Sequence, residues 1–478
     1  MSTAQTRSQR APAPLGIDAP SLPVAPSPSM ERRPELDFMR AFVVAGLVVF
    51  HSAMVFITAG SWFVNDPRPS PGFDVLVLWG LTWGMPLLFV VSGIGVRHAL
   101  RSRSAGAFIR ERISRLVVPF VVGMVALVPS MFYLERLGKA GFHESYGHFW
   151  LRFLGVPALA QGLPSRGVWW SGRDEFDPAH LWFLYVLLLL SMALLPLFLY
   201  LRRAAGMRLI DRLADAAEHH PFAMLLAGAA PMGLVEAVFG PDKVTGGWER
   251  LAYLFPLLFG YVIASNRRFE RVLRHERRRA LVCAVLSTAL LVWWAGVTGF
   301  DDIVAGDVPG WGALQGLAGW AWIMAILGFA GSWTARRRQV RTIEVAPTAE
   351  RSKPWGSRAA RYANQAVLPF YVLHEPVIVG AAWVIVRWHA PILAKYLVLV
   401  IVSFAGTLAL YEVLVRRLRV TRFLFGMKKP DRRVADGTRN AVSGLRRRLR
   451  LSAPNKTAAQ VGEKAGWLRA MGSSRRSA

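Results

Sequence analysis

One arginine and one histidine share a face of the first apolar stretch of this chain. The sequence reads Leu36-Asp37-Phe38-Met39-Arg40, then AFVVAGLVVF, then His51. Eleven residues of helix turn through about 1100°, roughly three full turns, and rise ~16 Å. Arg40 and His51 therefore point the same way. Their separation is about half of a ~30 Å hydrocarbon core, which places Arg40 at a membrane surface and His51 near the midplane. An ionisable side chain at that depth is costly and marks function. Asp37, three residues before Arg40, can pair with it at the helix start. A routine terminal ion pair beside a snorkelling arginine would explain those two residues, but not the alignment with His51.

A second constellation is Pro369-Phe370-Tyr371-Val372-Leu373-His374-Glu375-Pro376. His374 lies about eight residues into an apolar span, roughly 12 Å deep, near the depth expected for His51. Pro376 removes a helical hydrogen bond and predicts a kink. Glu375 is turned about 100° from His374 and can face another helix. A carboxylate beside a histidine fixes its tautomer. Two midplane histidines with a carboxylate in reach suit general-base catalysis on a hydroxyl.

Two further groups stand at span ends. His180-Leu181-Trp182-Phe183-Leu184-Tyr185 opens a span. It places His180 and Trp182 at the outer surface, where an external acceptor would arrive or where an aromatic belt would sit. The stretch from Phe108 to Pro119 carries Arg110, Arg112 and Arg115. Arginines at i, i+2 and i+5 can gather phosphate oxygens, and equally supply the positive charge of a cytosolic loop. Glu236 and Glu412 are further acids at membrane level and read as structural pairing partners.

The elements that must position these residues are apolar helices. Hydrophobic residues make up 53% of the 478, and mean hydropathy is positive. About ten apolar runs approach or reach spanning length: 38–59, 73–96, 116–134, 180–201, 221–239, 249–265, 280–298, 311–330, 366–388 and 392–415. The fold class is an all-α polytopic membrane protein with about ten transmembrane helices. An even number puts both termini on one side. Lysine and arginine collect in 97–115, 202–220, 267–279, 334–362 and both tails, whereas 299–310 has none and carries Asp301, Asp302 and Asp307. That bias predicts cytosolic termini.

Residues 1–32 read as a disordered cytosolic tail, 33–425 as the membrane domain with a long outer loop at about 135–179, and 426–478 as a basic disordered tail. The outer loop holds Trp150, Trp169 and Trp170 among polar residues, which suits an interfacial belt or stacking on sugar rings. The net charge of +28 is accounted for by the loops and tails. No nucleic-acid motif accompanies it, so nucleic acid is excluded as a partner. The lone Cys283 permits no internal disulfide, and no metal-binding spacing is present.

With these residues on the page, the chain resembles the membrane acyltransferase-3 family, which O-acylates carbohydrates and lipids. The matching pieces run in family order: Asp37, Arg40 and His51; Phe108 to Pro119, with Glu111 interposed between Arg110 and Arg112; His180 to Leu184; and Leu368 to Pro376. The wording of the last two is most similar to the glucan biosynthesis protein C branch. The resemblance implies no permanently bound cofactor. It implies a cytosolic acyl-CoA co-substrate, acetyl-CoA or succinyl-CoA, and an extracytoplasmic carbohydrate or glycolipid acceptor such as a periplasmic glucan. On that reading His51 is the base or nucleophile, and Arg40 binds donor phosphate or orients His51. Arg110, Arg112 and Arg115 meet donor phosphates, and His374, with Glu375 beside it, positions the acceptor or relays a proton. The lipid bilayer, of the bacterial inner membrane, is the setting. A proton-coupled transporter of a sugar, lipid or organic acid is the alternative, since intramembrane His and Glu and a broken helix also serve transport.

Overall fold

The computed structural model describes residues 34–155, 177–239, 248–299, 302–303, 308–344 and 355–427. Among these, the regular structure is entirely helical. The described residues from Glu35 onward belong to one compact unit, and the other unit, Met1–Pro34, lies outside the described residues apart from Pro34. The assignments made for both tails fall outside the described residues, apart from Gly426 and Met427, as do those for Trp169, Trp170, Asp301 and Asp307.

The first helices are α1 (Pro34–Ala53), α2 (Pro71–Ser102) and α3 (Ala105–Leu137). A π-helical turn, Ile113–Val117, interrupts α3 just after Arg110 and Arg112 and contains Arg115. A short α4 (Tyr146–Phe153) follows. Then come α5 (Trp182–Ala193), α6 (Leu195–Leu201), α7 (Ala204–His219), α8 (Pro221–Phe239) and α9 (Leu254–Ile263). The long α10 (Arg267–Thr298), α11 (Trp311–Glu344), α12 (Trp355–Ile385) and α13 (Ile392–Leu410) lead to α14 (Arg419–Leu424), the last helix among the described residues.

Each of the ten apolar runs is helical, but they are not ten spanning helices. Seven helices among the described residues are long and apolar enough to cross a membrane, and an eighth results if α5 and α6 form one span bent by 51°. The bend falls where Pro196 opens α6, since proline cannot donate to the preceding turn. Pro221–Val235 and Arg250–Ile263 are shorter apolar helices. The run at 249–265 falls short because its first part is a 3₁₀ turn, Trp248–Tyr253, and its end is fixed by Asn266, which caps α10. Hydropathy counts apolar residues whether or not one continuous helix contains them. The helices fit a multi-pass integral membrane protein.

Packing is closest where side chains are small. α2 crosses α9 with Gly93 against the backbone at Leu257 and Gly260 against the backbone at Val90, so a Cβ at either position would collide with main chain. Such close crossings let helices associate through van der Waals contact without a hydrophobic driving force. α10 lies along α11, α8 against α11, and α12 against α13. The one large core contains Phe89, Phe132, Leu181 and Leu373, and it surrounds the polar groups described next.

Candidate active site

Three histidines from three distant parts of the chain meet in the interior. His51 lies in the last turn of α1. His374 is buried in the middle of α12, between Pro369 and Pro376. Their ring centroids are 5.1 Å apart. His180 sits 5.2 Å from His374 on another side. Its Nδ1 is 2.8 Å from Glu375 Oε2, an ion pair with both side chains almost wholly buried. Neither of those two atoms has an aligned hydrogen bond, so the contact is close in distance but off the ideal direction.

His180 is therefore buried inside the protein and not on its exposed surface. Its place at the head of an apolar run did not show this: only 5% of the residue is exposed. The reason is local and tertiary together. His180 belongs to a 3₁₀ turn, Ala179–Leu181, that precedes α5. Ala179 takes a left-handed backbone, φ 48°, and its amide donates to Asp177 Oδ1 at 2.8 Å. A non-glycine residue in that region is strained, and such strain clusters at functional sites. The turn aims the His180 ring inward against α12.

Helix α12 grips this turn at three points. The Tyr371 hydroxyl donates to the His180 carbonyl, His180 Nε2 lies 3.1 Å from the Val372 carbonyl, and Glu375 meets Nδ1. Val372 is four residues before Pro376. In an uninterrupted helix the amide at position 376 would occupy that carbonyl, but proline has no N–H. Pro376 thus leaves an acceptor open in the middle of α12, and His180 fills it. Glu375 is indeed turned away from His374, and the other element it faces is this turn.

His374 uses Nδ1 on the Tyr371 carbonyl at 2.6 Å. With Nδ1 donating, Nε2 carries the lone pair. That nitrogen is buried and makes no hydrogen bond within the protein, and the same holds for His51 Nδ1. Buried polar atoms normally find partners. Two adjacent rings with free nitrogen valence form a site able to accept or pass a proton. Among the described residues, no group of three or more His, Cys, Asp or Glu has the geometry to hold a metal ion.

The arginines gather at the other end of α1. Arg40 Nη2 donates to the Val91 carbonyl of α2 at 3.3 Å, over Gly95, where a Cβ would strike the guanidinium. Arg112 lies within electrostatic reach of Arg40, Arg115, Arg103 and Glu111. Glu111 pairs with Arg103, and with Arg115 at 3.6 Å. Glu111 is thus the counter-charge that keeps the arginines together. Arg112 also stands over the Phe108 ring at 5.1 Å. Arg110 is exposed, and no described contact ties it to this group. The Asp37 side chain lies outside the described residues, as does that of Glu236. Glu412 pairs with Arg416 at 2.8 Å, a structural contact.

Trp182 packs on Tyr253 at 5.3 Å with Arg250 over its ring at 5.4 Å, so it is a partly buried packing residue beside the His180 turn. In the segment read as the outer loop, Trp150 donates its indole N–H to the Val125 carbonyl at 2.8 Å, which anchors α4 to α3. His148 and Arg152 both bind Glu144. Trp169 and Trp170, read with Trp150, lie outside the described residues.

Three parts of the site have no counterpart in the sequence reading: Tyr371, the Val372 carbonyl, and Trp62, which stacks on His51 with centroids 6.2 Å apart. The Val372 carbonyl had a signal, a proline four residues on. Trp62 had none, because it reaches His51 through a loop.

No curated protein and no solved structure matches the chain significantly. A family model described as an acyltransferase domain, acyltransferase-3, matches residues 33–412, which span α1 to the end of α13 and every residue of the site just described. The chain belongs to the acyltransferase-3 family of membrane acyltransferases.

Proposed function

We propose that the protein moves an acetyl or succinyl group from cytosolic acyl-CoA to a hydroxyl of an extracytoplasmic carbohydrate or glycolipid, such as a periplasmic glucan. One observation carries the reading. Helix α1 joins an arginine group to a buried histidine cluster ~16 Å away along its axis. Coenzyme A has that shape: phosphates at one end and a thioester at the end of a long flexible arm. Arg40, Arg112 and Arg115 take the phosphates through charge-assisted hydrogen bonds. The arm follows α1, and the thioester carbon arrives beside His51.

The reaction then needs a base, a route for the proton and a held acceptor. His51 removes the proton from the acceptor hydroxyl as its oxygen attacks the thioester carbon. The C–O bond forms, the C–S bond breaks, and the coenzyme A sulfur leaves with a proton returned from His51. The other course is transient acylation of His51 followed by transfer to the hydroxyl. His374 positions the acceptor or relays the proton, and Glu375 holds His180 against it. The arginine group marks the cytosolic face, with both termini on that side and the histidines deep in a bacterial inner membrane.

The test is release of coenzyme A by purified full-length protein in vesicles, offered acetyl-CoA and succinyl-CoA in turn. Wild type and His51→Ala are compared. Release that prefers one donor and disappears in the variant supports the reading and names the acyl group. Full turnover by a correctly folded His51→Ala protein, or no donor binding by calorimetry to folded wild type, overturns it.

A further inference from the structure

The histidine cluster is not the only buried ionic pair. Lys395, in the first turn of α13, and Asp66, in the loop between α1 and α2, pair at 2.7 Å with side chains 1% exposed each. Lys395 Nζ also donates to the Val386 carbonyl at 2.9 Å. The second Asp66 oxygen accepts the Arg68 amide at 3.0 Å. A buried ion pair loses hydration that its attraction only partly returns, and an apolar pair of similar volume commonly gives equal stability. What a hydrogen-bonded pair adds is direction.

The direction here runs to His51. Residues 54–70 are pinned at several points. The Asp66 amide donates to the Val55 carbonyl at 2.8 Å, and the Ser70 amide to the Phe56 carbonyl at 2.9 Å. The amides of Thr58 and Ala59 donate to Asp74 Oδ1 at 2.9 and 3.2 Å. Inside this frame the Trp62 amide donates to Asn65 Oδ1 at 2.9 Å. The Trp62 indole is buried and lies nearly parallel to the His51 ring, 28° between planes. Next to Lys395, the Tyr396 hydroxyl donates to the Val49 carbonyl, two residues before His51, at 3.2 Å. The start of α13 therefore holds both the turn that carries His51 and the loop that covers it.

We propose that Trp62 is a positioning residue for His51, kept over the imidazole by a loop that the Lys395–Asp66 pair clamps to α13. The role in turnover rests on the reading of His51 as the reacting base or nucleophile; the placement does not. The indole fixes the plane of the imidazole and closes one of its faces to water. Losing it lets the ring rotate away from the line of proton transfer, and small misplacements of reacting groups lower rates steeply.

The experiment uses full-length protein in vesicles and two readouts. The first is the rate at which diethyl pyrocarbonate labels His51 at fixed pH, read by mass spectrometry of the His51 peptide, which needs no turnover. The second is kcat and KM for whichever of acetyl-CoA and succinyl-CoA supports coenzyme A release. Trp62→Leu is expected to label His51 about tenfold faster and to lower kcat about tenfold or more, with KM within about twofold. Trp62→Phe recovers most of both. Lys395→Met moves both the same way through the loop, and Asp66→Asn replaces it if Lys395→Met does not fold. Wild-type labelling and kcat in folded Trp62→Leu overturn the proposal. Turnover retained by His51→Ala would overturn the role of His51 instead, and the labelling rates would still decide the placement of Trp62.

Discussion

Two ionic pairs of nearly equal length lie buried among the described residues, His180–Glu375 at 2.8 Å and Lys395–Asp66 at 2.7 Å, and they differ in what is left over. Lys395 and Asp66 are satisfied: the ammonium has two acceptors, and each carboxylate oxygen has a donor. At His180–Glu375 the contact is short but unaligned, and the adjacent His374 Nε2 and His51 Nδ1 have no hydrogen bond within the protein. Both regions are buried and both tie distant elements together. Burial of charge alone therefore does not locate chemistry. Spare hydrogen-bonding valence does, because a group committed to two partners cannot also receive a proton from a third.

The comparison can be broken in either direction. The largest expected effect is on turnover. Glu375→Gln should lower kcat about 10²-fold or more, the scale of a lost acid–base arrangement, with a much smaller change in thermal stability. A Glu375→Gln protein that turns over normally would make the two pairs equivalent scaffolds. Asp66→Asn should do the reverse in emphasis. It leaves an ammonium buried without its counter-charge, a loss of about 3–5 kcal/mol, measured as a lower midpoint in thermal unfolding in detergent. An unchanged midpoint would show that the loop is not clamped by this pair.

Smaller effects sharpen the division between chemistry and binding. Arg112→Ala should raise KM for the acyl-CoA donor about tenfold with kcat little changed, the value of one charge-assisted hydrogen bond. Arg110→Ala should leave KM within about twofold, and equal effects at the two positions would contradict the grouping around Arg40. Pro376→Ala restores an amide that competes with His180 for the Val372 carbonyl. It should cost several-fold in kcat, about 1 kcal/mol for one contested hydrogen bond. A fully active variant would mean that His180 is held by Glu375 and Tyr371 alone.

The smallest effect lies outside the membrane segments. A hydrogen bond from Arg152 holds the Glu144 carboxyl below its ordinary range. The stability it supplies is present above the ordinary glutamate value, and it is lost as pH falls through the lowered one. For so exposed a pair that is a few tenths of a kcal/mol. Glu144→Gln should therefore fall slightly below wild type in unfolding midpoint at pH 7, and the gap should narrow as pH falls through the acid range.

Helical periodicity determined more of the site than composition did. Arg40 and His51 had to share a face, because eleven residues close about three turns whatever the surroundings. Adjacent residues on a helix diverge, so Glu375 had to leave His374 for another element. Proline at 376 had to leave the Val372 carbonyl without its helical donor. All-helical construction followed from the long apolar runs, because a backbone in lipid must satisfy itself. The sequence could not say which side chain would take the freed carbonyl, nor that His180 would turn inward, nor that Lys395 would find Asp66 across 329 residues. A lone lysine within an apolar run, Lys395, was a readable sign that a partner must exist, but not of which one. Those choices rest on how helices cross and where loops return. They depend on packing between elements far apart in the chain, for which a single sequence carries no period and no spacing.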